Sequence, residues 1–359
     1  MIAKSLTWLT FILSLFGLVM ISSAGVYLSQ KNFGVDYYYF NHQFLFGFLP
    51  GLILFLIASK IDYRIWKKFS IFLILLSLGL LALIFVPGFG LIIGGAKRWV
   101  NFFGFFSFQP AEILKLTLII YLASWFQQFG KNNVGSAFAF LIILFFISIF
   151  IAAQPDIGTL GIIISIALLM FFTAGGKFRQ LLWIIVLIAV GFVSLTVFSD
   201  YRFNRLLVLI NRNFDVQGAG YHLNQSLITI GKGGFLGVGF GKGEQKLGFL
   251  PEPVGDSIFA VIGEELGFVG MLFLIGLFFS LIFLSLTVAK RTNDKFASLY
   301  AIGLASWIGI QSFVNIASLS GLVPLTGVPL PFISYGGTSL AVLMTGVGIL
   351  VNIAKKTKV

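Results

Sequence analysis

The chain has 359 residues, of which 58% are hydrophobic and only 10% are charged, and its formal net charge is +12. A soluble domain usually carries about 25% charged residues. This composition, with a mean hydropathy of +1.03, therefore excludes an ordinary soluble protein and predicts a polytopic membrane protein. The absence of cysteine excludes disulfides, thiolate catalysis and cysteine metal sites. The two histidines, His42 and His222, are too few for a histidine metal cluster.

An α-helix needs about 20 apolar residues to cross a hydrocarbon core roughly 30 Å thick. Ten stretches of this kind can be placed on the chain. They predict an all-α polytopic membrane protein in which residues 1–359 form a single integral membrane domain. The predicted spans are residues 6–28, 42–59, 69–86, 110–126, 137–153, 157–173, 181–198, 257–287, 296–319 and 335–353.

The distribution of Lys and Arg predicts the orientation, because cytoplasmic loops of membrane proteins are enriched in basic residues. With a cytoplasmic N-terminus, the inner segments carry 14 basic residues and the outer segments carry nine. We therefore expect both termini to be cytoplasmic. The net charge is then explained by this topology and by anionic membrane lipids, and it gives no support to a nucleic-acid partner.

In this orientation the long polar segments lie outside the membrane. The largest covers residues 199–256, between the predicted spans 7 and 8, and is rich in glycine with charges of both signs. A loop of this length is usually functional or disordered. It lacks the G-x-x-x-x-G-K-S/T pattern of a nucleotide-binding loop and faces away from cytoplasmic ATP. We therefore expect a function at the outer face that uses no nucleotide.

Two charged residues lie within the predicted span 110–126. Gln109 and Pro110 are typical of a helix start. Glu112 would then lie in the first turn, where the helix dipole favours an acid, and Lys115 would follow three residues later on the same face. A helix start with one local ion pair explains this pattern. A lysine in a membrane span is costly, however, and by default marks a functional site, so we favour function.

The outer segments hold further groups that could bind an anionic headgroup. Arg98 beside Trp99 offers a planar donor fork for a phosphate, although such residues also anchor helices at the membrane interface. Arg202 and Arg205 share one face of a helix, which suits a pyrophosphate, with solvated charge as the alternative. Asp156 either caps the helix that follows it or belongs to the site, and no local feature separates the two.

The stretch of residues 231–270 contains five of the chain's 12 acidic residues. Asp256 directly precedes the predicted span 257–287, which is a natural N-cap position. Desolvation at the membrane edge would also raise its pKa and make it a useful general base. Glu264 and Glu265 lie about 12 to 14 Å further along a regular helix, so at least one should face protein rather than lipid.

Several motifs together resemble the SEDS family of bacterial cell-wall polymerases, which includes FtsW, RodA and SpoVE. The motifs follow family order over essentially the whole chain and are GAKRW with FQPAEILKL, QPDIGT, GAGYHLNQSLITIGKGG, QKLGFLPEPVGDSIFAVIGEELGFVG and GLVPLTGVPLPFISYGGTSL. The resemblance implies a ten-span SEDS fold in the bacterial inner membrane. It also implies a peptidoglycan glycosyltransferase that polymerises lipid II with a class B penicillin-binding protein, among other divisome or elongasome proteins.

The resemblance assigns roles to individual residues. By resemblance, Asp256 is the essential loop aspartate of the family, and the other matched motif positions are Arg98, Glu112, Lys115, Asp156 and Glu265. GKGEQKLGFLPE and GEELGF are closer to FtsW and SpoVE, whereas GAGYH is similar to RodA, and we favour the FtsW branch. The departures are VGD in place of a His-Thr-Asp-like triplet, Ser257 in place of Phe, and GGTSL in place of GGSSL.

The resemblance and the residues together predict a mechanism. Asp256 would take the proton from the acceptor hydroxyl of lipid II as that hydroxyl attacks the anomeric carbon of a glycan on undecaprenyl pyrophosphate. Arg98, Lys115, Arg202 and Arg205 would hold the pyrophosphate and stabilise its developing charge. No metal site is predicted and no cofactor is required, although participation of a divalent cation stays open.

Two alternatives stay open besides the polymerase. A lipid II flippase would place Glu112, Lys115 and Glu265 in a cavity reachable from both sides of the membrane. A non-catalytic divisome scaffold would recruit a transpeptidase and tolerate loss of the charged groups. Supporting roles are assigned to Gln225 and Lys246, and to Glu265 in the polymerase.

Overall fold

The computed structural model describes residues 1–93, 96–102, 106–128, 134–180, 182–186, 200–211 and 214–357. Most of these residues are helical. The first nine helices are α1 Ile2–Ala24, α2 Val26–Phe33, α3 Tyr38–Gln43, α4 Leu49–Lys60, α5 Tyr63–Lys68, α6 Ser70–Leu83, α7 Pro110–Phe126, α8 Val134–Ala152 and α9 Ile157–Thr173. They are followed by α10 Asp200–Ile210, α11 Tyr221–Gly233, α12 Ile258–Arg291, α13 Lys295–Leu319 and α14 Gly337–Lys356. A π-helical turn, Phe44–Phe48, joins α3 to α4.

Within the described ranges, helices occupy nine of the ten predicted spans, and α7 and α9 begin and end at the predicted residues. The remaining predicted span, 181–198, lies largely outside the described residues. In the part of the chain that the structure describes, five helices are long and apolar enough to cross a membrane: Ile2–Ala24, Tyr38–Lys60, Ile258–Arg291, Lys295–Leu319 and Gly337–Lys356. The all-helical polytopic class is therefore confirmed, and the count of ten spans stays a prediction.

The outer surface of the helices is apolar. Phe279 and Phe283 on α12 are 73% and 66% exposed, and Ile71 on α6 is 63% exposed. Large apolar side chains pointing outward are costly in water but are accepted by lipid tails. The apolar exposed surface is therefore consistent with contact with the hydrocarbon core of a lipid bilayer.

Small residues let α4 and α14 approach closely. A Cβ added to Gly51 would lie 2.7 Å from the sulfur of Met344, and one added to Gly348 would lie 2.7 Å from the carbonyl oxygen of Phe55. Lipid gives helices no hydrophobic driving force for association, so close backbone contact supplies packing energy instead. This contact holds α14 against α4, and the first residues of α14 border the cleft described below.

A three-stranded antiparallel sheet precedes α7. Its strands are β1 Gly90–Ile93, β2 Ala96–Phe102 and β3 Phe106–Phe108, in the order β1-β2-β3. Gly90 pairs with Val100 and Val100 with Phe108, and the register shifts between Leu91 and Ile92. The sequence analysis did not predict this sheet. Arg98 lies on β2, so the sheet fixes the position of its backbone.

Helix α12 is broken at Gly267, whose φ of 66° and ψ of −166° are essentially restricted to glycine. At the break, backbone groups of the loop before the helix form hydrogen bonds with backbone groups of the helix. They run from Val238 N–H to Glu264 O, Gly239 N–H to Glu265 O, Phe268 N–H to Gly234 O and Val269 N–H to Phe235 O, at 2.9 to 3.2 Å. The helix is regular through Glu264 and Glu265, as expected, and is interrupted only after Leu266. A broken helix is tolerated at membrane depth where protein satisfies its backbone.

Candidate active site

Asp256 ends the loop sequence PEPVGD and lies just before α12. The carbonyl of Glu252 accepts hydrogen bonds from Gly255 N–H at 3.0 Å and Ser257 N–H at 3.2 Å, which closes a tight turn. Asn315 Nδ2 on α13 donates to the Asp256 carbonyl at 2.8 Å. Ser334, from the segment before α14, donates to the Gly255 carbonyl at 2.6 Å. The backbone at Asp256 is therefore held from two sides.

The Asp256 carboxyl is buried without full hydrogen bonding. Its side chain is 13% exposed, and Oδ1 has no hydrogen-bond partner among the described residues. The predicted N-cap role is wrong, because α12 starts after Ser257 and has no side-chain cap. Burial raises the pKa of Asp256 to about 6, although the charge of Arg205 opposes this shift. A carboxylate with a pKa near the working pH suits general base catalysis.

His222 lies behind Asp256. Its Nε2 is 2.6 Å from Ser257 Oγ and 4.0 Å from Asp256 Oδ1. Burial, together with the charge of Arg205, lowers the pKa of His222 to about 4, so the imidazole is neutral at neutral pH. A small movement would bring a ring nitrogen within hydrogen-bond distance of the unpaired Oδ1. The sequence analysis missed this residue, and its only signal was the GAGYHLNQS motif.

Glu252 is a second carboxylate in the same loop that the sequence analysis did not select for the site. Its backbone has a positive φ of 47°, and its side chain reaches the open cleft. Desolvation by the surrounding loop and the neighbouring charge of Asp256 raise the pKa of Glu252. Two carboxylates with raised pKa values therefore face one space.

Arg98 and Asp156 are brought together from distant parts of the chain. Arg98 Nε lies 3.8 Å from Asp156 Oδ2, and Arg98 Nη2 donates to the Pro155 carbonyl at 2.9 Å. Asp156 also caps α9, because it accepts hydrogen bonds from Thr159 N–H at 3.2 Å and Thr159 Oγ1 at 2.9 Å. The capping prediction is confirmed, and the same carboxylate orients Arg98, whose side chain is one-third exposed.

Arg205 extends from α10, and its Nη1 donates to the Leu325 carbonyl at 2.5 Å. Its positive charge lowers the pKa of both Asp256 and His222. The side chain of Arg202 lies outside the described residues. The predicted arginine pair on one helical face therefore stays a prediction.

These groups, except His222, line one large cleft with a volume of about 1790 Å³. It brings together four of the predicted site residues: Arg98, Asp156, Arg205 and Asp256. Typical small-molecule pockets have volumes of about 300 to 1,000 Å³. The cleft therefore has room for more than one small ligand.

Glu112 and Lys115 form the predicted ion pair, with Lys115 Nζ 2.7 Å from Glu112 Oε1, but they do not line the cleft. Their side chains are 3% and 1% exposed. Lys115 Nζ also donates to Gln311 Oε1 at 2.8 Å and lies 5.0 Å from the Trp307 ring. Gln311 in turn donates to the carbonyl of Pro329, which is part of the cleft wall. The ion pair therefore supports the cleft wall at Pro329 through Gln311, without lining the cleft itself.

Lys246 and Glu265 form a second buried ion pair, which fixes the outer loop to α12. The Ser23 hydroxyl of α1 lies 2.6 Å from both the ammonium and a carboxylate oxygen. Glu264 accepts backbone hydrogen bonds from the same loop at 3.0 and 3.3 Å. Neither this cluster nor Gln225, on α11, lines the cleft.

The apolar helices and a cleft lined by charged groups of both signs define an integral membrane protein. The chain belongs to the FtsW/RodA/SpoVE family of cell cycle proteins, whose family model matches residues 4–359. The resemblance inferred from the motifs is thereby confirmed.

Individual relatives match almost the whole chain. Stage V sporulation protein E of Bacillus subtilis is 34% identical over 98% of this chain and 96% of its own. A probable peptidoglycan glycosyltransferase FtsW of Geobacter metallireducens is 37% identical over 96% and 92%. The crystal structure of Thermus thermophilus RodA is 26% identical with a TM-score of 0.71, over 98% and 96%. A chain in a peptidoglycan synthase complex reaches a TM-score of 0.81 at 25% identity, over 99% and 98%.

Proposed function

We propose that this protein is a peptidoglycan glycosyltransferase that polymerises lipid II at the outer face of the bacterial inner membrane, with both termini cytoplasmic. The observation that carries the proposal is the Asp256 carboxyl at the wall of the cleft, which has a pKa of about 6 and whose Oδ1 has no hydrogen-bond partner within the described part of the chain. Relatives named probable peptidoglycan glycosyltransferase FtsW that match 96 to 97% of the chain support the same activity.

The transfer step is a substitution at an anomeric carbon. Asp256 takes the proton of the acceptor hydroxyl on lipid II while that oxygen forms the new glycosidic bond. The bond between the anomeric carbon and the pyrophosphate of the undecaprenyl-linked donor breaks, and the electron pair leaves with the pyrophosphate. Hexosyl transfer of this kind needs no nucleotide, because the donor arrives activated.

Arg98 and Arg205 bind the pyrophosphate in this proposal. Both line the cleft that contains Asp256, and their charges offset the negative charge that develops on the leaving group. Asp156 positions Arg98 through their contact at 3.8 Å. We also propose Arg202, four residues before Leu206 on α10, as a further phosphate ligand.

The remaining predicted residues support the site without contacting the substrate. Lys115 and Glu112 support the part of the cleft wall at Pro329 through Gln311. Lys246 and Glu265 hold the outer loop. Gln225 has no assigned contact with the substrate. The proposed step uses no cofactor, and among the described residues no group of three or more His, Asp or Glu side chains could hold a metal ion.

We propose a class B penicillin-binding protein as the partner, within the division or elongation machinery. The support is the structural similarity to a chain of a peptidoglycan synthase complex. The FtsW and SpoVE names of relatives at 34 to 37% identity favour a role in division-type synthesis.

The structure gives the flippase alternative little support. That alternative needs Glu112, Lys115 and Glu265 in a cavity reachable from both sides, whereas all three are buried and paired outside the cleft. A scaffold would have no use for a buried carboxyl with a raised pKa, since burial of an unpaired acid costs stability.

The test is lipid II polymerisation by the purified protein with its transpeptidase partner. We expect Asp256→Asn to lower the rate by about 10²- to 10⁴-fold, the usual contribution of a general base. Asp36→Asn, a change at an exposed carboxylate, serves as the matched control and should polymerise at the wild-type rate. Wild-type polymerisation by the Asp256→Asn protein would show that Asp256 is not the base.

A further inference from the structure

One wall of the cleft is built from aromatic side chains that the proposed transfer step does not use. Tyr38, Tyr39 and His42 come from α3 and Tyr335 from the segment before α14, and all four line the cleft. We call these four residues the aromatic wall. They come from different elements than Arg98 on β2 and Arg205 on α10.

The rings of the aromatic wall are fixed before any ligand binds. Tyr38 stacks on Phe33 with ring centroids 3.6 Å apart and an interplanar angle of 13°. Tyr39 meets Tyr335 edge to face at 5.0 Å and 86°. Side chains that are already ordered lose little conformational entropy on binding. The wall is therefore a preorganised surface.

Polar groups border the same rings. The Tyr335 hydroxyl lies 2.9 Å from His42 Nδ1, and Asn32 Nδ2 donates to the Tyr39 hydroxyl at 3.3 Å. Asn32 and Lys31 also line the cleft. Apolar ring faces therefore alternate with hydroxyl, amide and ammonium groups.

This composition fits the sugar part of the substrate better than its other parts. A pyrophosphate is bound by clustered cations, and the polyprenyl chain would favour an apolar surface without polar groups. Sugar rings present apolar C–H faces bordered by hydroxyl and acetamido groups, which complement aromatic faces with a polar edge. The volume of about 1790 Å³ leaves room for several sugar rings beside the pyrophosphate.

The aromatic wall is joined directly to the loop of Asp256. Tyr335 N–H donates to the Val254 carbonyl at 2.8 Å, and the adjacent Ser334 hydroxyl donates to the Gly255 carbonyl at 2.6 Å. A ligand bound at the wall is therefore held in a fixed position relative to the carboxyl of Asp256.

Building on the proposed function, we propose that the aromatic wall is a saccharide-binding subsite that holds sugar rings of the glycan strand beside Asp256. Aromatic residues also gather at membrane interfaces for reasons unrelated to a ligand. Tyr37 provides the comparison, because it is adjacent in sequence and 53% exposed but does not line the cleft.

The test measures binding without turnover. The probe is a tetrasaccharide of alternating N-acetylglucosamine and N-acetylmuramic acid, free of lipid and peptide, titrated into detergent-solubilised full-length protein carrying Asp256→Asn. We expect Tyr38→Ala and Tyr39→Ala, added to that background, each to weaken binding about tenfold, as the loss of one aromatic contact does. Tyr37→Ala should bind as the background does. Tyr335→Phe removes only a hydroxyl and keeps the aromatic ring, so it is unlike the alanine variants in leaving the packing intact. It should therefore weaken binding less than Tyr39→Ala.

Equal affinities for the Tyr37→Ala and Tyr38→Ala proteins would overturn the subsite, as would absence of tetrasaccharide binding at millimolar concentration by a protein that binds lipid II. The binding readout does not depend on polymerisation. A failed polymerisation assay with intact tetrasaccharide binding therefore counts against the proposed function alone, and active polymerisation without such binding counts against the subsite alone.

Discussion

Replacing Asp256 by Asn should stabilise the folded protein while removing its activity. The pKa of Asp256 is about 6 in the folded protein, against an ordinary value of 3.8. At 1.36 kcal/mol per pKa unit, this difference corresponds to about 3 kcal/mol that the ionised carboxylate costs the folded state. The side chain is only 13% exposed, so solvent screening removes little of that cost. Asparagine fills nearly the same space without the charge.

The sign of the effect depends on pH. The folded protein holds the proton of Asp256 more tightly than the unfolded chain, because the folded-state pKa is the higher one. The stability linked to the protonated carboxyl is complete below about pH 4 and is lost as the pH rises through about 6. The advantage of Asp256→Asn should therefore be small near pH 4 and complete above pH 7.

The assay is thermal unfolding in detergent at several pH values between 4 and 8. We expect the midpoint of Asp256→Asn to exceed that of the wild type by a few degrees at pH 8 and by much less at pH 4. Asp36→Asn should track the wild type throughout. A midpoint for Asp256→Asn at or below the wild-type value at pH 8 would refute the burial argument, and an equal gain at both pH values would refute its electrostatic origin.

Two further changes test the electrostatics and the broken helix. Arg205→Gln removes the charge that lowers the pKa of Asp256, so the half-maximal polymerisation rate should move above pH 6, and a pH–rate profile with an unchanged or lower midpoint would contradict this. Gly267→Ala should destabilise the protein by roughly 1 to 3 kcal/mol, because its φ is 66° and an added Cβ would lie 2.6 Å from the Phe235 carbonyl oxygen. Thermal unfolding checks this against Gly276→Ala, where the added Cβ meets open space on the same helix; equal midpoints for the two variants would rule out the strain.

Local sequence patterns were sufficient for much of the helical framework. The bounds of α7 follow from an apolar run that begins at Pro110, and those of α9 follow from an apolar run that begins directly after the capping Asp156. The pairing of Glu112 with Lys115 follows from helical spacing alone. These features depend on residues within one or two helical turns, which is the range that a periodic pattern reports.

Features that depend on distant contacts could not be predicted in this way. His222 and Asp256 are far apart in the sequence, and only the fold places them 4.0 Å apart. The break at Gly267 depends on a loop that supplies backbone partners to the helix, so a single glycine in an apolar run does not reveal it. The burial of Lys115 behind the cleft wall likewise depends on Gln311, which is contributed by α13.

The buried pair of Lys246 and Glu265 has a consequence for how the chain is made. A charged side chain such as Asp, Lys or Arg at the centre of a membrane helix costs about 2.5 to 3.5 kcal/mol on insertion scales, and an unpaired glutamate there is costly for the same reason. Both partners of Glu265, the Ser23 hydroxyl and the Lys246 ammonium, precede it in the sequence. Both partners are therefore synthesised before the glutamate, so the groups that compensate its charge are already part of the chain when α12 is made.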